Sequence, residues 1–295
     1  MTANVLEEIP EIEPPQLESI RYKRAPDEKV NWVTSIPFML IHALPLLLVF
    51  TGITSTALII FFVTYFGRMF FLTATYHRYL AHRSFRLNRF WQFVFSFAAA
   101  SSAQKGPLWW AAHHRNHHKF SDTDRDIHSP RRGFWWSHLG WILCDKYGAT
   151  EYDEIKDFAK YPELRWLNKH DMVAPWSLGI ACFLIGGASG LLMFFASTVL
   201  LWHTTFLVNS LAHVFGRRRY ETTDTSRNSL LIALVTGGEG WHNNHHRYQS
   251  SARQGFRWWQ IDTTYYGLWL LSRVGIVRDL RAVPARVINE PRATR

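Results

Sequence analysis

Two long stretches of the chain carry no charge. From Val30 to Gly67, 38 residues pass without Asp, Glu, Lys or Arg, and from Met172 to Gly216 another 45 do so. A membrane-spanning helix needs about 20 predominantly apolar residues, with about 17 tolerated. Each stretch therefore predicts two spans joined by a short turn. The first pair is read at about 36–50 and 53–72, broken at Thr51 and Gly52; the second at about 173–186 and 191–211, broken at Gly186, Gly187 and Gly190. Pro37, Pro45 and Pro175 fall near span starts or kink them, which membrane helices tolerate. The expected fold is all-α: an integral membrane protein of four transmembrane helices in two hairpins, with a helical domain outside the bilayer.

Two further apolar segments are too short to span. Phe90 to Ala103 reads as a helix lying in or under the membrane interface. Trp258 to Leu271, with Trp258, Trp259, Tyr265, Tyr266 and Trp269, has the aromatic character of an interface anchor. No internal repeat appears beyond the two hairpins.

The charges decide orientation. Of the 33 Lys and Arg residues, 15 lie between Arg78 and Lys169, 13 follow Gly216 and 4 precede Asn31, whereas neither hairpin turn has one. Positive charge marks the cytoplasmic side, so both termini and a central domain of about 100 residues are placed there. The N-terminus is acidic and lacks the apolar run of a signal peptide. Mean hydropathy is only −0.12, an average over apolar hairpins and a basic face. The formal net charge of +10 mainly reports topology, so nucleic acid is not expected as a partner.

Histidine carries the chemistry. The chain has 15 His and only two cysteines, Cys144 and Cys182, so any metal is held by nitrogen or oxygen. His77-x4-His82 begins just past the second span, His114-x2-His117-His118 lies in the central domain, and His242-x2-His245-His246 follows the fourth span. On a helix, positions i, i+3 and i+4 share a face, so each HxxHH box is expected to aim three imidazoles at one point. His213, four residues after Asn209, makes a ninth. All nine fall on the predicted cytoplasmic side. A single first-row ion rarely takes more than six ligands, and imidazole suits Fe, Zn, Cu and Ni; nine converging nitrogens imply two ions. The carboxylate-bridged di-iron bundle needs Glu-x-x-His pairs from two helices, and Glu239 to His242 is the one such spacing here, close to background. An all-histidine dinuclear site remains, most economically iron used with oxygen. Single histidines read as packing or supporting groups: His42 and His203 within the spans, His113, His128, His138 and His170 outside them.

With these boxes on the page, the chain resembles the membrane acyl-CoA desaturases of the stearoyl-CoA (Δ9) type. The likeness runs from about Asn31 to Val277 and rests on ordered motifs: His77 to His82, His114 to Ser121 (HRNHHKFS), Asp126 to Trp141 (DIHSPRRGFWWSHLGW), Asn209 to His213 (NSLAH) and Gly238 to His246 (GEGWHNNHH). It implies a desaturase domain at 31–277 between tails at 1–30 and 278–295. It implies two irons on His77, His82, His114, His117, His118, His213, His242, His245 and His246, with Asn209 joining through water. The implied activity is insertion of one cis double bond into a saturated acyl chain of 16 or 18 carbons, using O2 and two electrons. Trp110 and Thr205 occupy positions that kink the family's acyl tunnel beside the metals. Tyr65 and Met69 occupy its blind end, and Met69 is expected to help set chain length.

Head-group recognition departs from the family pattern. Ala112 and Asp145-Lys146 stand where animal members place basic residues for coenzyme A, so Lys146, Lys119, Arg131 and Arg132 are the candidate phosphate contacts. Acyl-CoA is the expected substrate; a phospholipid-bound or carrier-protein-bound chain, and a fatty acid or alkane hydroxylase, are the alternatives. No HPGG haem signature occurs, so electrons are expected from a separate carrier of cytochrome b5, ferredoxin or rubredoxin type, for which Arg217-Arg218-Arg219 offers a docking patch. The setting is read as a bacterial inner membrane. A metal transporter would line its spans with histidine, and here the boxes flank the spans.

Overall fold

The computed structural model describes residues 21–293. Helices account for all its regular structure among the described residues, and the isolated bridges, such as Val30 to Cys144, only tie loops together.

Helix α1 (Ile36–Ala43) passes through a 3-10 turn at Leu44–Leu47 into Leu48–Thr51. Pro45 lacks the N–H that would continue the α ladder. Gly52, at φ 70°, turns the chain back, and Thr54 caps α2 (Ser55–Phe71) by accepting from the Ala57 amide at 3.1 Å. Helix α2 runs without a break into a π-helical stretch, Leu72–Ala81. Helix α3 (Arg89–Ala100) is capped by Asn88. Helix α4 (Pro107–Phe120) has its first amides satisfied from a distance: Asn168 Oδ1 accepts from Leu108 N at 3.0 Å and Trp109 N at 2.8 Å. That approach requires Gly106, where a Cβ would sit 2.4 Å from the same oxygen. Asn168 belongs to α5 (Pro162–Lys169).

The second charge-free stretch forms α6 (Val173–Ser210), 38 residues interrupted at Gly187 with φ 61° and ψ −153°. The chain reverses there. A Cβ on Gly190 would lie 2.6 Å from the Cys182 carbonyl oxygen, and one on Gly179 would touch the Phe194 ring at 3.4 Å. Such contacts exist only if the limbs on either side of Gly187 run antiparallel and closely packed. The two turns lie at the same end, since Ser189 Oγ donates to the Thr51 carbonyl at 3.3 Å. By length and composition, Ser55–Ala81 and Val173–Ser210 can cross a membrane, while the apolar Ile36–Thr51 is shorter.

At the turn end, Leu46, Val49, Phe50, Leu184 and Ile185 are 70–83% exposed, an apolar surface costly in water and stable against hydrocarbon. Inside, Arg68 of α2 is fully buried and spreads its five donors over oxygens of three elements. These are the Thr64 carbonyl (2.9 Å), the Ser197 and Thr198 hydroxyls (both 2.6 Å), and the Ser101 and Phe194 carbonyls (3.4 and 3.5 Å). It pins α3 and the second limb of α6 to α2.

Beyond α6 come α7 (Leu230–Val235), α8 (His242–Arg247), α9 (Thr263–Arg273) and α10 (Ala285–Ile288). Trp258, Trp259 and Leu270 are exposed around α9. Both flanking segments pack on the body: Tyr22 N donates to the Arg131 carbonyl, Arg278 exchanges backbone bonds with Arg86, and Arg281 with Ala252 and Ser84. The acidic residues 1–20 of the expected N-terminal tail, and residues 294 and 295, lie outside the described residues.

Candidate metal centre

The π-helical stretch explains the first histidine box. Residues five apart point to different sides of an α-helix, but i→i+5 bonding widens the turn and brings His77 and His82 to one face; the His82 amide donates to the His77 carbonyl at 3.2 Å. Arg115 locks the end of this turn, donating to the Leu80 carbonyl at 2.6 Å and the Ala81 carbonyl at 3.1 Å while pairing with Asp157. Helix α4 supplies His114, His117 and His118, α8 supplies His242, His245 and His246, and His213 sits in the turn after α6.

All nine imidazoles come together, in two groups: His77, His82, His114, His118 and His245, and His117, His213, His242 and His246. The single-point expectation for each HxxHH box is therefore corrected. Helix α4 gives its i, i+4 pair to the larger group and His117 to the smaller, and α8 gives His242 and His246 to the smaller and His245 to the larger. Positions i and i+4 lie almost one above the other, whereas i+3 is rotated to the other side of that line.

Neighbouring Nε2 atoms are in van der Waals contact or closer. In the larger group they run His82–His114 (3.0 Å), His114–His118 (3.0 Å), His118–His245 (2.9 Å) and His245–His77 (3.0 Å). In the smaller, His213 and His246 lie 2.9 and 3.1 Å from His242. A ring nitrogen has one in-plane site, N–H or lone pair, so His114, His118, His245 and His242 cannot hydrogen-bond both neighbours at once. A shared cation satisfies every lone pair together. With ring nitrogens about 2.1 Å from a first-row ion, ligands at right angles lie about 3.0 Å apart. The residues present fit two such ions.

Carboxylates stand behind the rings. His117, His213 and His246 present Nδ1 to Asp126 (3.1 Å), Asp122 (3.0 Å) and Asp224 (2.6 Å), and His77 presents Nδ1 to Glu239. Each bond directs Nε2 inward and raises its basicity. Glu239 is itself held by Arg78 at 2.9 Å and Gln254 at 2.7 Å, and Arg78 also pairs with Asp262. The smaller group thus has three carboxylates behind it and the larger one, so the two centres differ electrostatically. Burial would raise these acids, but their imidazole partners outweigh it. Asp122 and Asp224 lie well below the usual carboxylate range, and His77 with Arg78 brings Glu239 down to about 2. Burial first, then neighbouring rings, push His82, His114, His118, His242 and His245 well below the ordinary imidazole value. Neutral imidazole is the ligating form.

The Glu239 to His242 spacing dismissed as background therefore matters, with Glu239 serving His77 rather than bridging metals. Asp122, Asp126 and Asp224 are carboxylates that the histidine spacing alone does not point to, since they lie 9–103 residues from the rings or loops they serve. A search for acceptors behind each imidazole is the signal that finds them. Among the single histidines, His128 is buried against His117 and Asp126, and brought down to about 3 by burial and His117. His42, His203 and His138 form one hydrogen-bonded chain from the Phe38 carbonyl to the Ser210 hydroxyl.

A cavity of about 540 Å³ lies beside the larger group. Its wall includes Trp110, Gln104, Thr205 and Asn209, and the Trp110 ring stacks on His114. Gln104 bridges the wall, donating to Thr205 Oγ1 at 2.7 Å and accepting from Trp110 Nε1 at 3.4 Å. Ala103 and Lys105 on either side adopt φ 55° and 65°, a left-handed conformation costing a non-glycine residue roughly 1–2 kcal/mol, and this aims Gln104 across the cavity. Asn209 is held through its carbonyl by Ser137 Oγ at 3.1 Å. Tyr65 and Met69 do not line the cavity; both are buried in the core. Lys119, Arg131, Arg132 and Lys146 do not line it either. Arg218 and Arg219 turn their guanidinium groups onto their own chain, at Thr222 and at Glu290 and Pro291.

Comparison with known proteins gives a consistent picture. The family model described as fatty acid desaturase matches residues 38–273. The chain is 40% identical over 223 residues to the acyl-CoA 5-desaturase AL21 of Anemone leveillei, covering 74% of this chain and 69% of that one. It is 33% identical over 273 residues to the sn-2 palmitoyl-lipid 9-desaturase of Nostoc sp. (strain 36), covering 90% and 95%. Against the sn-1 stearoyl-lipid 9-desaturase of Anabaena variabilis it is 35% identical over 263 residues, covering 86% and 94%.

Proposed function

The chain belongs to the fatty acid desaturase family, and we propose that it inserts a cis double bond, Δ9, into saturated acyl chains of 16 or 18 carbons. The observation that carries this reading is the position of Trp110, whose indole is at once cavity wall and stacking partner of His114. The reaction takes two hydrogens from adjacent methylenes and, with O2, two electrons and two protons, releases two waters.

No side-chain acid or base removes hydrogen from an unactivated methylene. Two irons, when bound, supply the oxygen activation and hydrogen abstraction. The nine histidines are their proposed ligands, with Asn209 completing the four-histidine group through water. Asp122, Asp126, Asp224 and Glu239 orient the rings. The wall of Trp110, Gln104 and Thr205 bends the chain so that one pair of methylenes faces the centre, and excludes water from it. The chain is taken to run on beyond the cavity to Tyr65 and Met69, which stop it.

The antiparallel limbs about Gly187 support four spans, with both turns at one end and the histidines at the other. The termini and the centre are then cytoplasmic in an inner membrane, and a separate carrier brings the electrons. Expression in a host without this activity, followed by gas chromatography with double-bond location, tests the proposal. New cis-Δ9 monounsaturates that vanish in His118→Ala and His246→Ala are expected; hydroxy acids, or unchanged activity in both variants, would overturn it.

A further inference from the structure

The two histidine groups face different openings. The five-histidine group stands beside the acyl cavity, whose wall includes Trp110 stacked on His114. The four-histidine group stands beside a second cavity of about 240 Å³, lined in part by Arg21, Arg131, His213, Val214, Thr225 and Arg227. His213 is thus at once a proposed iron ligand and part of this wall. A neighbouring wall residue is tied to the same support: Asp122, which faces His213 Nδ1 at 3.0 Å, accepts from the Thr225 amide at 2.7 Å and its hydroxyl at 2.6 Å.

The charges on this wall have one sign. Among the described residues three arginines and no carboxylate line it, and the acid behind it, Asp122, is fully buried and engaged by His213 and Thr225. Of the Arg217-Arg218-Arg219 run, Arg217 is the exposed member, and its backbone exchanges both hydrogen bonds with Asn228, next to Arg227. Within this basic rim Val214 and Phe215 are 59% and 56% exposed. A small apolar centre inside a charged rim is the anatomy of a protein–protein interface, and rim charges chiefly steer the encounter. The acyl cavity offers no such surface to an acidic protein. Asp145 and Asp171 line it against the single cation Lys105, and in turnover the acyl chain fills it.

We infer that the second cavity is where electrons enter: a small acidic one-electron carrier protein sets its carboxylates on Arg21, Arg217 and Arg227 around Val214 and Phe215, and its electron reaches the four-histidine group through His213. The inference rests on the desaturase reading and places the redox partner of that same centre. Each encounter oxidises the carrier by one electron and reduces one ferric ion to ferrous, with no bond made or broken. Two encounters supply the two electrons that one double bond consumes. Substrate and electrons then approach separate histidine groups, and the carrier docks while the acyl chain is seated.

Stopped-flow mixing of the full-length, iron-loaded protein with a reduced carrier under argon provides the test, read as oxidation of the carrier by absorbance. The carriers are an acidic [2Fe–2S] ferredoxin and, in a second arm, the soluble haem domain of a cytochrome b5. Arg21→Glu combined with Arg217→Glu is expected to slow the transfer about tenfold or more at low ionic strength, a difference that closes at high salt. Iron content should match the parent, and dithionite should reduce both proteins to the same extent, which separates lost docking from lost folding. Arg86→Glu, reversing an exposed charge beside Asp279, should leave the rate unaltered. A double variant reduced at the parent rate, or a parent reduced by neither carrier, would overturn the inference, while product analysis of the same preparation decides the desaturase reading. Transfer that is lost in the double variant, with no monounsaturated product from stearoyl-CoA or stearoyl phospholipid on admitting O2 to the parent, would overturn the desaturase reading and leave the docking surface standing.

Discussion

The indole of Trp110 lies 4.9 Å from the imidazole of His114, centroid to centroid, with the planes inclined by 23°. One residue of α4 thus walls the cavity, and another, a turn later, joins the larger histidine group. Because i and i+4 share a helix face, the register of α4 fixes the distance between that wall and the histidine group. Replacing Trp110 by Ala removes that wall and leaves all nine histidines in the chain. The expected outcome is a product mixture with the double bond scattered over neighbouring positions, at reduced rate and unchanged iron content. Gas chromatography of the products with metal analysis of the purified variant checks it, and a single unshifted double bond would show that Trp110 does not set position.

The carboxylates behind the rings allow the two centres to be addressed separately. Losing such a partner typically costs 10–100-fold in metal affinity, roughly 1.4–2.8 kcal/mol. Glu239→Gln frees His77 in the five-histidine group, and Asp224→Asn frees His246 in the four-histidine group. Each variant, dialysed against a graded series of chelator, is expected to release about half of its iron early, with the double variant releasing both portions. Simultaneous loss of all metal from either single variant would show one cooperative site.

Asp157 gives a prediction with a pH sign. It joins Arg115, which holds the Leu80 and Ala81 carbonyls at the end of the π-helical stretch, to Arg83. Burial would raise its pKa, but the two guanidinium groups lower it below 3.8. A carboxyl whose folded value is depressed stabilises the fold fully above its unfolded value, and the contribution disappears as pH falls through the folded one. Asp157→Asn is therefore expected to cost about 1–2 kcal/mol at neutral pH. The difference in melting temperature from the parent should shrink as pH drops below 3.8. A gap that stays constant down to the lowest pH at which both fold would assign the effect to something other than this charge.

How much of this was readable beforehand depended on how local the determinant was. The charge-free stretches already contained the reversal at Gly187, because glycines clustered inside an apolar run have few other uses. The six histidines of the two HxxHH boxes were readable from spacing alone, since a helix fixes relative direction over one turn. Their division between two centres was not: whether His117 or His118 faces a given ion depends on the rotation of α4 against α8 and the π-helical stretch, which only tertiary packing sets. The π-helical turn itself left one trace, the five-residue spacing of His77 and His82. Asp122 and Asp224 sit in loops whose polar composition matches that of solvated turns, and only the His213 and His246 rings brought against them reveal their burial. The candidate phosphate contacts Lys119, Arg131, Arg132 and Lys146 show the limit of composition, which does not say whether cations distant in the chain meet at one opening; none of the four lines the cavity.

Met69 lies one helical turn from Tyr65 on α2, and the two are 2% and 4% exposed. Tyr65 donates its hydroxyl to the Val235 carbonyl at 2.7 Å and lies 3.3 Å from Thr204 Oγ1, and Thr204 precedes Thr205 of the cavity wall. Neither residue lines the cavity; if, as proposed, the acyl chain runs on past it, this pair is where the methyl terminus stops. Met69→Ala removes a flexible side chain there and opens room for about two methylenes, each worth about 0.8 kcal/mol when buried. The preference for 18 over 16 carbons should then rise by roughly tenfold. Met69→Leu, which conserves volume, should leave the ratio where it was. The 18:1 to 16:1 ratio in host lipids measures both. Since Met69→Ala also creates a void that destabilises the bundle, the ratio and not the total activity is the diagnostic quantity. An unaltered ratio in a folded Met69→Ala protein would reduce Met69 to core packing and place the end of the chain elsewhere.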